Sequence, residues 1–260
     1  MGWAQAPEGN ALRGELTLAA TAGAALSSAE SRTFKEMHRR TQQWKVMQDG
    51  AQLRPRADRG TCWARTGPSD TARVRQAVLH TRRIRLVALA DEHLEHEIEL
   101  DSDPEVMRYL GSGRARTREE VERLHRGRLA VAARAPGLGF WAGFVEADFV
   151  GWWILEPPER PDQGPVAAQA ELGYRLLRQH WRKGLASEGA RELIRHGFED
   201  LGLTRIFAET MAVNRASRAT LASIGMTHIR TFHLDFEEPL PGSELGEVEY
   251  AISLEDWRAG

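Results

Sequence analysis

From residue 81 onward the hydrophobic and polar positions fall into regular periods. Ile84, Leu86 and Ala88 alternate with Arg83, Arg85 and Val87, the period-two pattern of a half-buried strand. Asp91 then opens a helix as its N-cap. Asp103-Pro104-Glu105 marks a second helix start, with the cap followed by proline at the first helical position and Val106, Met107 and Leu110 as the apolar side. Thr117 and Glu120 form a capping box for a longer helix carrying Val121, Leu124 and Leu129. Residues 140–145 and 149–155, joined by a tight turn at 146–148, predict a hairpin. Trp152 and Trp153 fall on its opposite faces, so at most one faces any pocket, and with Phe140 and Trp141 they read mainly as core. A proline-rich loop at 156–164 leads to a strand at 172–177. Ala190, Leu193, Ile194, Gly197 and Leu201 then keep helical spacing over 184–200. A strand at 205–210, a short helix at 216–224 closed by Gly225, and strands at 226–234 and 248–252 complete the chain. This order describes a mixed α/β domain with ligand space where the sheet switches neighbours.

Residues 1–77 have no such period. They are rich in Ala, Arg, Gly, Thr and Gln, and their one candidate helix, at 28–48, has Phe34, Met37, Val46 and Met47 on no single stripe. Such a segment buries too little apolar surface to offset its ordering entropy. The expectation is an arm, disordered or loosely docked, ahead of a domain at 78–260. The apolar run at 16–26 follows Glu8 and Glu15 as well as Arg13, not the positive start of a secretory signal. No run approaches the roughly 18 apolar residues of a membrane span.

Composition narrows the partners. With 35 Lys and Arg against 37 Asp and Glu, the net charge of −2 creates no field to gather nucleic acid. The single cysteine, Cys62, allows neither an internal disulfide nor a structural zinc site, and the nine histidines show no HExxH spacing. A soluble, cytoplasmic protein is expected, with no nucleic-acid, membrane or metal partner.

The chemistry concentrates in Arg178-Gln179-His180-Trp181-Arg182-Lys183-Gly184-Leu185-Ala186, which leaves a strand and starts a helix. Free backbone N–H groups converge there on the positive end of a helix dipole, which suits an anion. Gly184 and Ala186 are small, and Arg178, Arg182 and Lys183 add charge. A solvated basic connection would look the same. Neither GxxxxGK[ST] nor a GxGxxG after a strand is present, so nucleotide P-loop and dinucleotide readings fail.

Several ordered stretches carry a resemblance. They are Glu171-Leu172-Gly173-Tyr174-Arg175-Leu176; then Trp181, Gly184, Ala186 and Glu188; then Glu209-Thr210-Met211-Ala212-Val213-Asn214-Arg215-Ala216-Ser217, and Gly225-Met226. With Asp103 through Leu110 and Gly151-Trp152, they resemble the GNAT superfamily of N-acetyltransferases, RimJ/RimL-type branch, over 81–257. The resemblance implies a central mixed, mostly antiparallel sheet flanked by helices and splayed at an acetyl-CoA cleft. It implies acetyl transfer from acetyl-CoA to a primary amine by direct attack in a ternary complex, without a metal. The acceptor would be a protein N-terminus or a small amine such as an amino acid or an aminoglycoside. A homodimer is compatible with it.

The superfamily's pyrophosphate turn, Q/R-x-x-G-x-G/A, falls on Gln179, Arg182 and Gly184, with arginine where the first glycine is usual. Arg182 can still donate its N–H if its φ is negative. The implied donor contacts are Leu176, Arg178, Gln179, Trp181, Arg182, Lys183, Gly184, Leu185, Ala186, Asn214 and Ser217, with Asn214 on the pantetheine arm. Ser217 would lie near the sulfur as a proton donor, or be a helix cap. Many relatives place a tyrosine acid where this chain has Leu221.

Transfer also needs a neutral amine and a held oxyanion. Glu171 is the first candidate base, its alternative being an ion-pair partner of Arg175 or Arg205; Asp235, on the late strand, is the second. A backbone N–H on a bulged strand at 172–177 would hold the oxyanion. The loop at 236–247, with Glu237, Glu238, Glu244 and Glu247, would attract a cation or simply be solvated. His180 and His196 read as surface or cap residues. A different class of function, a catalytically weak acyl-CoA-binding or regulatory module, would keep the turn and lack efficient acid and base groups.

Overall fold

The computed structural model describes residues 76–236 and 238–260. The arm expected at 1–77, its helix at 28–48 and the run at 16–26 fall almost wholly outside the described residues, as does Glu237. Gln76 and Ala77 are described, and both meet a strand 64 residues on: Gln76 donates to the Phe140 carbonyl at 3.0 Å, and the Ala77 carbonyl accepts the Trp141 indole N–H at 2.8 Å.

The strands are β1 (Leu79–His80), β2 (Arg85–Ala88), β3 (Gly139–Val145), β4 (Asp148–Glu156), β5 (Gln169–Leu176), β6 (Arg205–Met211), β7 (Thr227–Phe232) and β8 (Glu247–Ser253). The helices are α1 (Leu94–Asp101), α2 (Pro104–Met107), α3 (Arg118–Arg134), α4 (Leu185–Arg195), α5 (Arg215–Ser223) and α6 (Leu254–Ala259). Among the described residues the strands form one sheet in the order β1-β2-β3-β4-β5-β6-β8-β7. Every neighbouring pair is antiparallel except β5 and β6. The mixed, mostly antiparallel sheet flanked by helices is the one expected.

Local signals explain most starts and stops. Asp103 accepts the Glu105 N–H at 2.9 Å with Pro104 at the first helical position, and Thr117 and Glu120 make the reciprocal capping box of α3. Gly225, at φ 90, ends α5. Asp91 differs from expectation: it lies inside a 3₁₀ turn, Asp91–His93, that leads into α1, and Ala90 occupies the cap. His196 sits at the C-cap of α4, one of the two places expected for it, but there, where α4 widens into a π-turn, His196–Asp200, it is buried and not on the surface. Its Nδ1 meets Asp200 at 2.7 Å and its ring stands edge-on to Trp141.

Alternation on β3 and β4 splits the aromatics between two cores. Trp141 and Trp153 join α4 residues Leu185, Ala190 and Leu193 on one face; Phe140 and Trp152 join Leu100 of α1 and Val131 of α3 on the other. Gly189 lets α4 lie directly on Trp153, since a Cβ there would stand 2.4 Å from the indole. Truncating either fully buried tryptophan to alanine would cost roughly 3–5 kcal/mol. The second face also buries charge. Asp101 accepts from Arg116, Arg128 and Arg175, and Glu97 binds Arg128 and His125. Burial alone would raise the pKa of Asp101, but Arg175 and its companions hold it far below the usual range, so Asp101 stays ionised and the cluster ties α1 and α3 to β5. Among the described residues no helix is long and apolar enough to cross a membrane.

Candidate active site

Strands β5 and β6 share ladder positions only at Gln169↔Arg205, Ala170↔Ile206 and Glu171↔Phe207. Beyond these, β5 stays with β4 up to Gly151↔Leu176, while β6 stays with β8 up to Met211↔Glu247. The sheet opens into a V whose walls are residues 172–176 and 208–211, with no ladder across the gap. Backbone N–H groups on the inner edge of β5 are left available to a ligand. The expected bulge is not the device: the β4–β5 register runs from Leu176 to Glu171 without a shift, and divergence from β6 does the work instead.

At the end of β5 the chain makes a 3₁₀ turn, Arg178–His180, and enters α4 after Gly184. Arg182 has φ 61 and Gly184 φ 77, both left-handed. The condition of a negative φ at Arg182 is therefore not met, because the turn keeps the conformation a glycine would adopt. Left-handed residues at alternate positions curl the peptide N–H groups into an anion-binding concavity, here at the positive end of α4. Gly184 is needed for its backbone and not for space, since a Cβ would meet only the Arg83 guanidinium, at 3.5 Å. Trp181 ties the turn to the strand, its indole N–H donating to the Leu176 carbonyl at 2.8 Å. Leu185 packs into the core and the Ala186 carbonyl accepts the Trp153 indole N–H at 3.1 Å, so both anchor the turn from behind. Arg178 approaches Asp103 at 3.3 Å. Gln179, Arg182 and Lys183 are exposed, and the two cations form no ion pair among the described residues.

Asn214 is the N-cap of α5: its Oδ1 accepts the Ser217 N–H at 3.2 Å and its Nδ2 donates to Thr210 Oγ1 at 3.2 Å. Ser217 is thus capped and is not itself the cap, leaving its hydroxyl for other work. That hydroxyl lies 3.3 Å from the phenol oxygen of Tyr174 on β5. Burial raises the Tyr174 pKa, so the phenol keeps its proton. Leu221 is core.

The opposite face of the gap is acidic. Glu171 pairs with neither Arg175, which binds Asp101, nor Arg205, which binds Gln169 and Glu249. It accepts from the neutral Gln163 amide at 3.0 Å. Burial, then Glu209 and Glu156, push the Glu171 pKa well above the ordinary carboxylate value. Burial and Glu159 push Glu156 up to about 8, and burial and Glu209 push Glu247 up to about 7. Arg160 pairs with Glu209 at 2.7 Å. Asp235 lies in exposed coil beyond the end of β7, away from the strand on which it was expected. Among the described residues no group of His, Cys, Asp and Glu could hold a metal.

A family model, the acetyltransferase (GNAT) domain, matches residues 83–227. The chain belongs to the GNAT acetyltransferase family. It is 44% identical over 185 residues, covering 70% of this chain and 78% of the relative, to the FsC-acetyl coenzyme A-N(2)-transacetylase of Aspergillus fumigatus. It is 29% identical over 156 residues to an uncharacterized N-acetyltransferase of Bacillus subtilis, YoaA, covering 57% of this chain and 81% of that one. Among solved structures, RimL, a ribosomal L7/L12 alpha-N-protein acetyltransferase in complex with coenzyme A, superposes with a TM-score of 0.58 at 16% identity, over 69% of this chain and 99% of that one. Spermidine N-acetyltransferase from Vibrio cholerae, with CoA and spermine, gives 0.56 at 15% identity, over 68% and 98%. These two likenesses speak for the fold.

This GNAT acetyltransferase uses acetyl-CoA, and its residues fit that donor. The concave turn with two uncompensated cations suits a diphosphate, and the unpaired edge of β5 suits an amide-bearing arm. Sequence reasoning missed the Tyr174 contact, although strand alternation, which sends Tyr174 to the α4 face, was available to suggest it. It also missed the acidic ring around Glu171, because Glu156, Glu209 and Glu247 come from three different strands.

Proposed function

We propose that the protein transfers the acetyl group of acetyl-CoA directly to a primary amine held on the Glu171 face of the gap. The observation that carries this reading is that Glu171 and Tyr174 project from opposite faces of β5. Glu171 and Tyr174 differ by an odd number of positions, so one side chain faces the acidic ring and the other packs toward α4 and α5. A thioester carbonyl between the diverging strands would then be attacked from one face and lose its sulfur toward the other. The nitrogen forms its bond to the carbonyl carbon, the carbon–sulfur bond breaks, and the thiolate takes a proton from the Ser217–Tyr174 pair. Glu171, once ionised, takes the proton the amine must shed, and its raised pKa makes that ionised form a stronger base than an ordinary carboxylate. A thiol leaving group of pKa about 8.5 asks little of the acid.

A bound cation would offset the burial and mutual repulsion that keep these carboxyls protonated and let them ionise, so the acidic ring favours a cationic acceptor. The name of the Aspergillus fumigatus relative specifies transfer to N(2) of its acceptor, and on that kinship we favour a small-molecule amine over a protein N-terminus. An α-amine, with a pKa near ~8 against ~10.4 for lysine, would need least help from Glu171. The test is thiol release from acetyl-CoA across a panel of α-amines, polyamines and N-terminal peptides. Amine-dependent release that is fastest with small α-amines supports the reading. Tight CoA binding with no amine-dependent release from any member would leave a binding module instead.

A further inference from the structure

The phosphate turn is braced by a residue far away in the sequence. Between β1 and β2 the chain turns sharply, the Thr81 N–H donating to the Ile84 carbonyl at 2.9 Å. Thr81 Oγ1 accepts the backbone N–H groups of Arg83 and Ile84 at 3.2 and 2.8 Å and donates to Glu188 Oε1 at 2.6 Å. Glu188 stands in the first turn of α4, where it also takes the Arg83 N–H at 2.8 Å and the Arg83 Nε at 2.6 Å. The Arg83 Nη2 lies 2.6 Å from the same carboxylate. The remaining nitrogen, Nη1, donates to the carbonyl of Lys183 at 2.9 Å.

That carbonyl belongs to the peptide between Lys183 and Gly184, in the middle of the concave turn. A trans peptide points its C=O and N–H in opposite directions. Holding the Lys183 oxygen outward on Arg83 therefore aims the Gly184 N–H inward, among the groups that would meet a phosphate. Without the brace, rotation of this one peptide would put a carbonyl oxygen where an anion must sit. Each nitrogen of the Arg83 guanidinium already has a partner in Glu188 or Lys183, which suits the side chain to setting the turn.

We propose that Arg83, oriented by Glu188 and Thr81, is a positioning residue for acetyl-CoA that fixes the Lys183–Gly184 peptide and thereby sets affinity for the pyrophosphate half of the donor. The inference rests on donor use alone and is independent of the acceptor.

The test compares full-length wild type with Arg83→Met, Arg83→Lys and Glu188→Gln, using calorimetric titration with CoA and thiol release from acetyl-CoA and from S-acetylpantetheine, which lacks the pyrophosphate. Arg83→Met is expected to weaken CoA binding about tenfold, the scale of one lost charged hydrogen bond. Arg83→Lys is expected to lose nearly as much, because an ammonium keeps the charge but cannot span both partners. Glu188→Gln should show a smaller loss in the same direction and serves if Arg83→Met fails to fold. Where an active amine is available, kcat/KM for S-acetylpantetheine should stay unchanged. Unaltered CoA affinity in Arg83→Met and Glu188→Gln, full retention by Arg83→Lys, or an equal loss with S-acetylpantetheine would overturn the proposal.

Discussion

The phenol oxygen of Tyr174 lies 3.3 Å from the hydroxyl of Ser217, joining the splayed end of β5 to the first turn of α5. Either hydroxyl can donate, so the two form one proton-delivering unit at the place where the family resemblance puts only Ser217. Ser217→Ala and Tyr174→Phe should each slow turnover at saturating acetyl-CoA by about tenfold, at the low end for general acids because the leaving thiol is acidic. The double variant should be little worse than the more damaged single one, since the groups act together. Initial rates of thiol release decide it; full activity in both single variants would remove the pair from the chemistry.

The base makes a different prediction. Glu171→Gln should lower kcat/KM for the amine by about a hundredfold or more while leaving the CoA affinity in place. In the wild type the rate should rise with pH as Glu171 loses its proton, and this limb starts above the ordinary carboxylate range because burial and the neighbouring Glu209 and Glu156 oppose ionisation. The variant should lose the limb. Asp235→Asn, in exposed coil, should leave both the rate and the profile as they are.

The same ring has a thermodynamic signature. The folded state holds the proton of Glu156 up to about 8, against an ordinary value of 4.5, and that of Glu247 up to about 7. Folded pKa values above the unfolded ones mean that the folded state binds more protons in between. The resulting stabilisation is complete below the unfolded value and disappears as pH rises through the folded one. The urea midpoint should fall between about pH 5 and about pH 9. Glu156→Gln, which cannot ionise, should flatten the decline. A midpoint that rises over this range would contradict the assignment.

How much of this the sequence revealed depended on whether the signal was local. Asp103-Pro104 and Thr117 with Glu120 are cap chemistry completed within a few residues, and both act in the structure as read. Alternation at Trp152 and Trp153 correctly sent each to its own core. Asp91 and Asp235 went astray, and His196 kept a cap position but not its exposure, because propensity does not state whether a turn begins as 3₁₀, where an edge strand stops, or whether a helix swells into a π-turn. The acidic ring and the bond between Arg83 and Glu188 lie beyond any local pattern, since residues 83 and 188 meet only after β1, β2 and α4 have been brought together. Asn214 and Ser217 show an intermediate case: their spacing signalled a cap, but only the structure tells which residue caps which.

Arg182 gives the last prediction. Its φ of 61 is one an L-residue adopts at a cost of roughly 1–2 kcal/mol, and the glycine usual at this place would avoid it. Glycine is also freer in the unfolded chain, which offsets part of the relief. Arg182→Gly should therefore stabilise the fold by roughly 0.5–1 kcal/mol, read as a raised urea midpoint with unchanged slope. The turn keeps its N–H groups in this variant but loses an exposed cation beside the phosphate site. CoA should accordingly bind more weakly at low salt, and the difference should shrink as salt screens the lost charge. A variant that is less stable than the wild type would show that the guanidinium, and not the backbone, is what holds the turn.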